Sequence, residues 1–262
     1  MIVGEMMRKK NRIYLIAVFV AALAFVGGTV FGISISNLGK IETQAKVMGL
    51  ENSRSSSIAI VAVSANETGA LLNLNVEVRP GTGEIYVNTA PLVEADFQYA
   101  QWIAVSVAAN YLGLPVDDDN VGIKGLDISF SVSSDEPIQL VGGPSAGAAM
   151  TVLTIAVLDN KQVKNNVVIT GEINDDGSIG KVGGLIAKLE AAEKAGKELF
   201  LVPPGQSNVI VYKQVAYKVG PFTKIMLEPV TVNLNEYAEN MGWKVKVQEV
   251  STIQEAITLM LE

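Results

Sequence analysis

Leu72, Leu74, Val76 and Val78 alternate with Asn73, Asn75, Glu77 and Arg79, so an extended segment there is apolar on one side and polar on the other. This pattern predicts a half-buried strand. The apolar run Ile58 to Val63 precedes it as another strand, and Pro80-Gly81-Thr82-Gly83 turns the chain into a third near Glu84 to Asn88. Asp96 reads as the N-cap of a helix carrying Trp102, Ile103, Val105, Val107 and Tyr111, with Gly113 as its left-handed stop. A further strand spans Asp127 to Val132. From Ser145 to Leu158 the run SAGAAMTVLTIAVL is apolar all round, which predicts a helix that starts at the serine and is buried on every side. The remainder reads as strand Val167 to Thr170, turn Asp175-Asp176-Gly177, helix Leu185 to Ala195, strand Leu199 to Val202, strand Trp243 to Glu249 and helix Thr252 to Leu261. Thr252 and Glu255 have capping-box spacing. The order predicts a mixed α/β domain with no internal repeat.

Ahead of this domain, no charged residue occurs between Arg12 and Lys40. Ile13 to Ile35 as a helix would reach roughly 34 Å, enough to cross a hydrocarbon core. The expected division is a basic tail at 1–12, an anchoring membrane span at 13–36, a polar stalk at 37–57 and the folded domain at 58–262. A cleavable leader also starts from a basic cluster such as Arg8, Lys9, Lys10 and Arg12, but its apolar stretch is shorter, about 7 to 15 residues. With that cluster before the span and near neutrality after it, the N-terminus is expected in the cytoplasm and the domain outside.

The chain carries a formal net charge of −7, and the basic tail makes the rest more acidic still. A body of that sign repels nucleic acid, and no basic stripe offsets it. There is no cysteine and no histidine. Thiol chemistry is therefore excluded, a zinc site would need carboxylates alone, and no metal or cofactor is expected.

Gly143-Pro144-Ser145-Ala146-Gly147 places a serine in a G-x-S-x-G frame. At the first turn of a helix, free N–H groups and the positive end of the dipole lie where an oxyanion would form. Taken alone, the segment is equally a glycine-rich turn with Ser145 as a cap. A catalytic serine also needs a base, and without histidine the base expected is a lysine. Ser178-Ile179-Gly180-Lys181 matches an S-x-x-K frame, but Gly180 and the preceding turn are wrong for a helix.

Gly143 to Gly147, Thr170-Gly171-Glu172-Ile173, Gly177 to Gly180, Gly183-Gly184-Leu185 and Lys188 together resemble the proteolytic domain of Lon proteases in order and spacing. The resemblance implies a Ser-Lys dyad of Ser145 as nucleophile and Lys188 as general base, supported by Thr170 and by Gly143, Pro144 and Ala146 around the serine. It further implies a serine endopeptidase acting on unfolded proteins or peptides, and assembly into a ring, a hexamer by the family's habit. The chain departs from the family in two places: Gly142 stands where an aspartate is usual, and Ser131-Val132-Ser133 where bacterial relatives have His-x-His. No G-x-x-x-x-G-K-[ST] loop occurs, so hydrolysis is expected to be independent of ATP. A free lysine titrates at about 10.4, so Lys188 must be desolvated to act as a base. The alternative is a silent Lon-like adaptor or chaperone domain. Residues 206–232 read as an insertion without a role.

Overall fold

The computed structural model describes residue 50 and residues 52–117, 121–219 and 221–262. The expected basic tail, membrane span and most of the stalk lie outside the described residues. Among the described residues no helix is long and apolar enough to cross a membrane.

Four strands form the first sheet: β1 (Arg54–Val63), β2 (Gly69–Pro80), β3 (Ile85–Val87) and β5 (Leu126–Ser133), in the order β1-β2-β5-β3. β2 runs antiparallel to both β1 and β5, and β3 lies parallel to β5. The alternation in β2 works as expected, with Leu72, Leu74, Val76 and Val78 all buried. β1 starts at Arg54, ahead of the expected Ile58, because Arg54 to Ser57 pair with Val78 to Asn75. The serines there are strand residues on a ladder whose partner was legible, and they are no part of a stalk. Buried Leu50 joins the same core.

α1 (Ala95–Leu112) ends at Gly113, which has φ 67°. Its N-cap is Glu94, not Asp96. Short strands β4 (Leu92–Val93) and β6 (Leu140–Val141) pair in parallel beside its start. α2 (Gly147–Leu158) is buried at every residue. Its two threonines satisfy their hydroxyls within the helix, Thr151 Oγ1 donating to Gly147 O at 2.9 Å and Thr154 Oγ1 to Met150 O at 2.8 Å.

The second sheet is parallel: β7 (Val167–Ile169), β10 (Leu199–Val202) and β13 (Lys246–Glu249), in the order β13-β10-β7. Val167, Ile169 and Leu201 join the core around α2, whereas Val168, Phe200 and Val202 join a second core with Leu185 and Leu189 of α3 (Leu185–Lys194) and Leu234 of α4 (Leu234–Asn240). Cover on both faces explains why β7 and β10 are continuous apolar runs. The small ribbon β8 (Glu172–Ile173) and β9 (Ile179–Gly180) follows β7, and α5 (Ile253–Met260) closes the chain, capped as expected by Thr252 accepting from Glu255 N.

The segment expected to be an insertion is a long antiparallel hairpin, β11 (Asn208–Val219) and β12 (Phe222–Asn233), paired from Asn208↔Asn233 to Val219↔Phe222.

Candidate active site

Three elements meet at one end of the parallel sheet: the N-terminus of α2, the residue that follows β7, and the first turn of α3. Pro144–Ala146 is a 3-10 turn with Pro144 in the first position, where its missing N–H costs nothing. Ser145 therefore sits one turn before the α-helix, which begins at Gly147 and not at the serine itself. Gly143 precedes the turn with φ 85°, a conformation that favours glycine.

Thr170 leaves the end of β7 and is buried, with its hydroxyl donating to Ser145 O at 3.2 Å. Gly171 N donates to the same carbonyl at 2.9 Å, so the serine backbone is held by two bonds from the strand end. From the other side of the sheet, Lys188 is 3% exposed and donates from Nζ to Thr170 Oγ1 at 3.0 Å. The α3 turn that carries it starts at Gly184, which has φ 69° and a space closed by Val63, whose Cγ2 would lie 2.4 Å from an added Cβ. Burial pushes the Lys188 ammonium down to about 8, because the charged form loses its water.

Ser145 and Lys188 line one cavity of about 450 Å³, walled further by Ala62, Val63, Gly143 and Pro144. Of the expected residues, Ser145, Lys188, Gly143 and Pro144 line this cavity, Thr170 bridges the Ser145 carbonyl and the Lys188 amine, and Ala146 follows the serine in the 3-10 turn. Lys181 of the S-x-x-K frame lines the same cavity but is exposed, and its frame runs through strand β9 instead of opening a helix. Two amides near the serine are already committed. Gly143 N donates to Asp96 Oδ1 at 3.2 Å, and Ala148 N donates to Gly171 O at 3.0 Å.

Asp96 and Glu94 are site neighbours that sequence reading missed. The Asp96 carboxylate also accepts from Phe97 N, so it ties the start of α1 to the glycine before the serine. A Cβ on Gly142 would lie 1.7 Å from Glu94 Oε2. The space beside residue 142, expected to lack the family's carboxylate, is filled by the Glu94 carboxylate. Neither was legible because the contacts bridge segments nearly fifty residues apart in the chain, 47 for Asp96 and Gly143.

Ser145, before a buried helix, and the desolvated Lys188 share one cavity, and the lysine amine is bonded to Thr170. A model of the Lon protease (S16) C-terminal proteolytic domain matches residues 56–221. The chain belongs to that family. A Lon protease of Clostridium acetobutylicum is 33% identical over 135 residues, 52% of this chain and 17% of that protein. An archaeal Lon protease of Thermoplasma volcanium is 30% identical over 182 residues, 64% of this chain and 25% of that protein. Lon protease 2 of Bacillus subtilis is 26% identical over 159 residues, 59% of this chain and 28% of that protein. The matched stretches thus span 17 to 28% of the length of these relatives. The family match ends at residue 221, so the closing Val250-Ser251-Thr252-Ile253-Gln254-Glu255-Ala256 lies outside it.

Proposed function

We propose that this chain hydrolyses peptide bonds with Ser145 as nucleophile and Lys188 as general base. Neutral Lys188 takes the Ser145 proton as Oγ attacks the carbonyl carbon, and the resulting ammonium gives that proton to the leaving amine. Water, deprotonated by the same amine, then attacks the acyl carbonyl carbon, and the Ser145 oxygen leaves as the ammonium returns the proton to it. Thr170 accepts one N–H of Lys188, which leaves the amine's lone pair for the serine. With Gly143 N and Ala148 N engaged elsewhere and the 3-10 turn using the amides that follow the serine, the oxyanion falls to the amide of Ser145.

The observation that carries this reading is the buried Lys188 on the serine's cavity, with its pKa pushed down to about 8. The base is competent only when neutral, so kcat/KM for an unstructured peptide rises about tenfold per pH unit below 8 and levels off above it. Lys188→Arg, which cannot deprotonate, reduces hydrolysis to the level of Ser145→Ala. A flat profile from pH 6 to 9, or turnover by Lys188→Arg, would falsify the dyad. Peptide binding with no hydrolysis at any pH favours the silent adaptor instead.

The same reading places the chain at a membrane, on the hydropathy of Ile13 to Ile35 and its basic flank. The full chain should remain in carbonate-washed membranes, and its release into the wash counts against an anchor.

A further inference from the structure

Neither strand of the hairpin β11–β12 pairs with a third strand among the described residues. A free-standing hairpin is marginally stable in water, so what holds its base matters. Gln206, just before β11, clamps the backbone of Val182 in both directions: Val182 N donates to Gln206 Oε1 at 2.9 Å, and Gln206 Nε2 donates to Val182 O at 2.8 Å. The Glu249 carboxylate accepts from Gly205 N and Ser207 N, each at 2.8 Å. The Gln206 bonds fasten the root of the hairpin to the Lys181–Gly184 loop, which is also a wall of the Ser145–Lys188 cavity, and the Glu249 bonds fasten it to the end of β13.

Between that root and the first turn of α3 lies a groove of about 830 Å³. It shares Val63, Lys181, Val182, Gly183 and Gly184 with the dyad cavity, so the two adjoin along these residues. The hairpin side of the groove consists of Asn208, Val209, Ile210 and Val211, four consecutive residues of β11. A sheet face would contribute alternate residues, because successive side chains point to opposite faces. Four consecutive residues put both faces of β11 on the groove, and among the described residues no third strand pairs with β11. Opposite stands Ile186 of α3, and Ile210 is 65% exposed, so the groove carries an apolar side chain on each wall beside the polar Lys181, Glu190 and Asn208, and the edge of a two-stranded hairpin has main-chain groups to offer.

We propose that an extended apolar stretch of the polypeptide substrate docks in this groove as a strand added to the β11 edge, on one side of the bond presented to Ser145. Main-chain hydrogen bonds to β11 supply binding that tolerates many sequences, while Ile186 and Ile210 select apolar side chains. The inference rests on the hydrolytic reading for its occupant. It also extends past the matched family segment, which ends at residue 221, before β12.

The test measures binding in the full chain carrying Ser145→Ala, so that no turnover is needed. A fluorescently labelled, unstructured peptide with a Val/Ile/Leu-rich stretch is titrated by anisotropy, and its amides are N-methylated one at a time. An added strand turns every second amide towards its partner, so affinity should fall at alternate positions and hold at the others. Ile210→Asp should weaken binding about tenfold by placing a charge in an apolar wall, whereas Phe222→Ser, at the hairpin tip, should leave it unchanged. A flat N-methyl profile on the Ser145→Ala chain, no effect of Ile210→Asp, or equal weakening by Phe222→Ser overturns the proposal. Alternating losses beside a wild-type chain that hydrolyses nothing would support the groove and sink the hydrolytic reading. Hydrolysis without Ile210 dependence would do the reverse.

Discussion

Lys188 is held where it weakens the fold. Burial lowers its amine from the ordinary 10.5 to about 8 in the native state, so between those pH values the unfolded chain binds the extra proton. Stability contributed at this site therefore rises with pH through that window, and the whole penalty, on the order of 3 kcal/mol, is present below it. Lys188→Met fills the same volume without the charge, and Thr170 keeps its bond to the Ser145 carbonyl. The variant should melt several degrees above wild type at pH 7, with the gap closing towards pH 11. A lower melting point for the methionine variant at pH 7 would show that the amine is not buried at a cost. Groups retained against stability are characteristic of functional sites, and that is the physical content of calling Lys188 a base.

At the scale of elements, legibility followed how local the determinant was. α2 could be read because it is apolar on all sides, and β2 because its alternation is strict. β7 and β10 appeared as short apolar runs, as strands covered on both faces must. β1 was cut short at Ile58 because Ser55 to Ser57 carry no apolar signal, and only pairing with β2 makes them strand. The hairpin gave no alternation to read. Ile210, Tyr212, Ile225 and Leu227 share one face by register and are all exposed, while the other face mixes Val211 and Met226 with Lys213 and Glu228. The candidate site divided in the same way. That a serine here needs a lysine followed from the absent histidine, but which lysine followed from resemblance, and burial now separates Lys188 from exposed Lys181. Asp127 reads in the sequence as one more position in an alternating strand, yet it is buried and its Oδ1 accepts from Thr82, Gly83 and Glu84 amides. No pattern along the chain encodes such a clamp, because its partners lie more than forty residues away.

For the whole molecule, the proposed hydrolysis makes access decide what would be cut. The dyad cavity holds about 450 Å³, space for a few side chains, and the groove beside it about 830 Å³. A folded domain fits neither, so its backbone must first open. These 262 residues contain no G-x-x-x-x-G-K-[ST] loop with which to drive that opening by nucleotide. If closing of the substrate is fast relative to cleavage, the rate equals the dyad's intrinsic rate multiplied by the substrate's own opening equilibrium. Each destabilisation of the substrate by about 1.4 kcal/mol should then speed cleavage tenfold, until the rate levels off at that of an unstructured chain. The experiment gives the purified full chain a graded series of point variants of one small two-state domain, with and without ATP. Log rate should fall along a line against the stability of each substrate, and ATP should leave that line where it is. Equal rates across the series would mean that the chain binds and opens folded domains itself, and faster cleavage on adding ATP to the chain alone would mean that it uses nucleotide through residues that no motif in its sequence reveals.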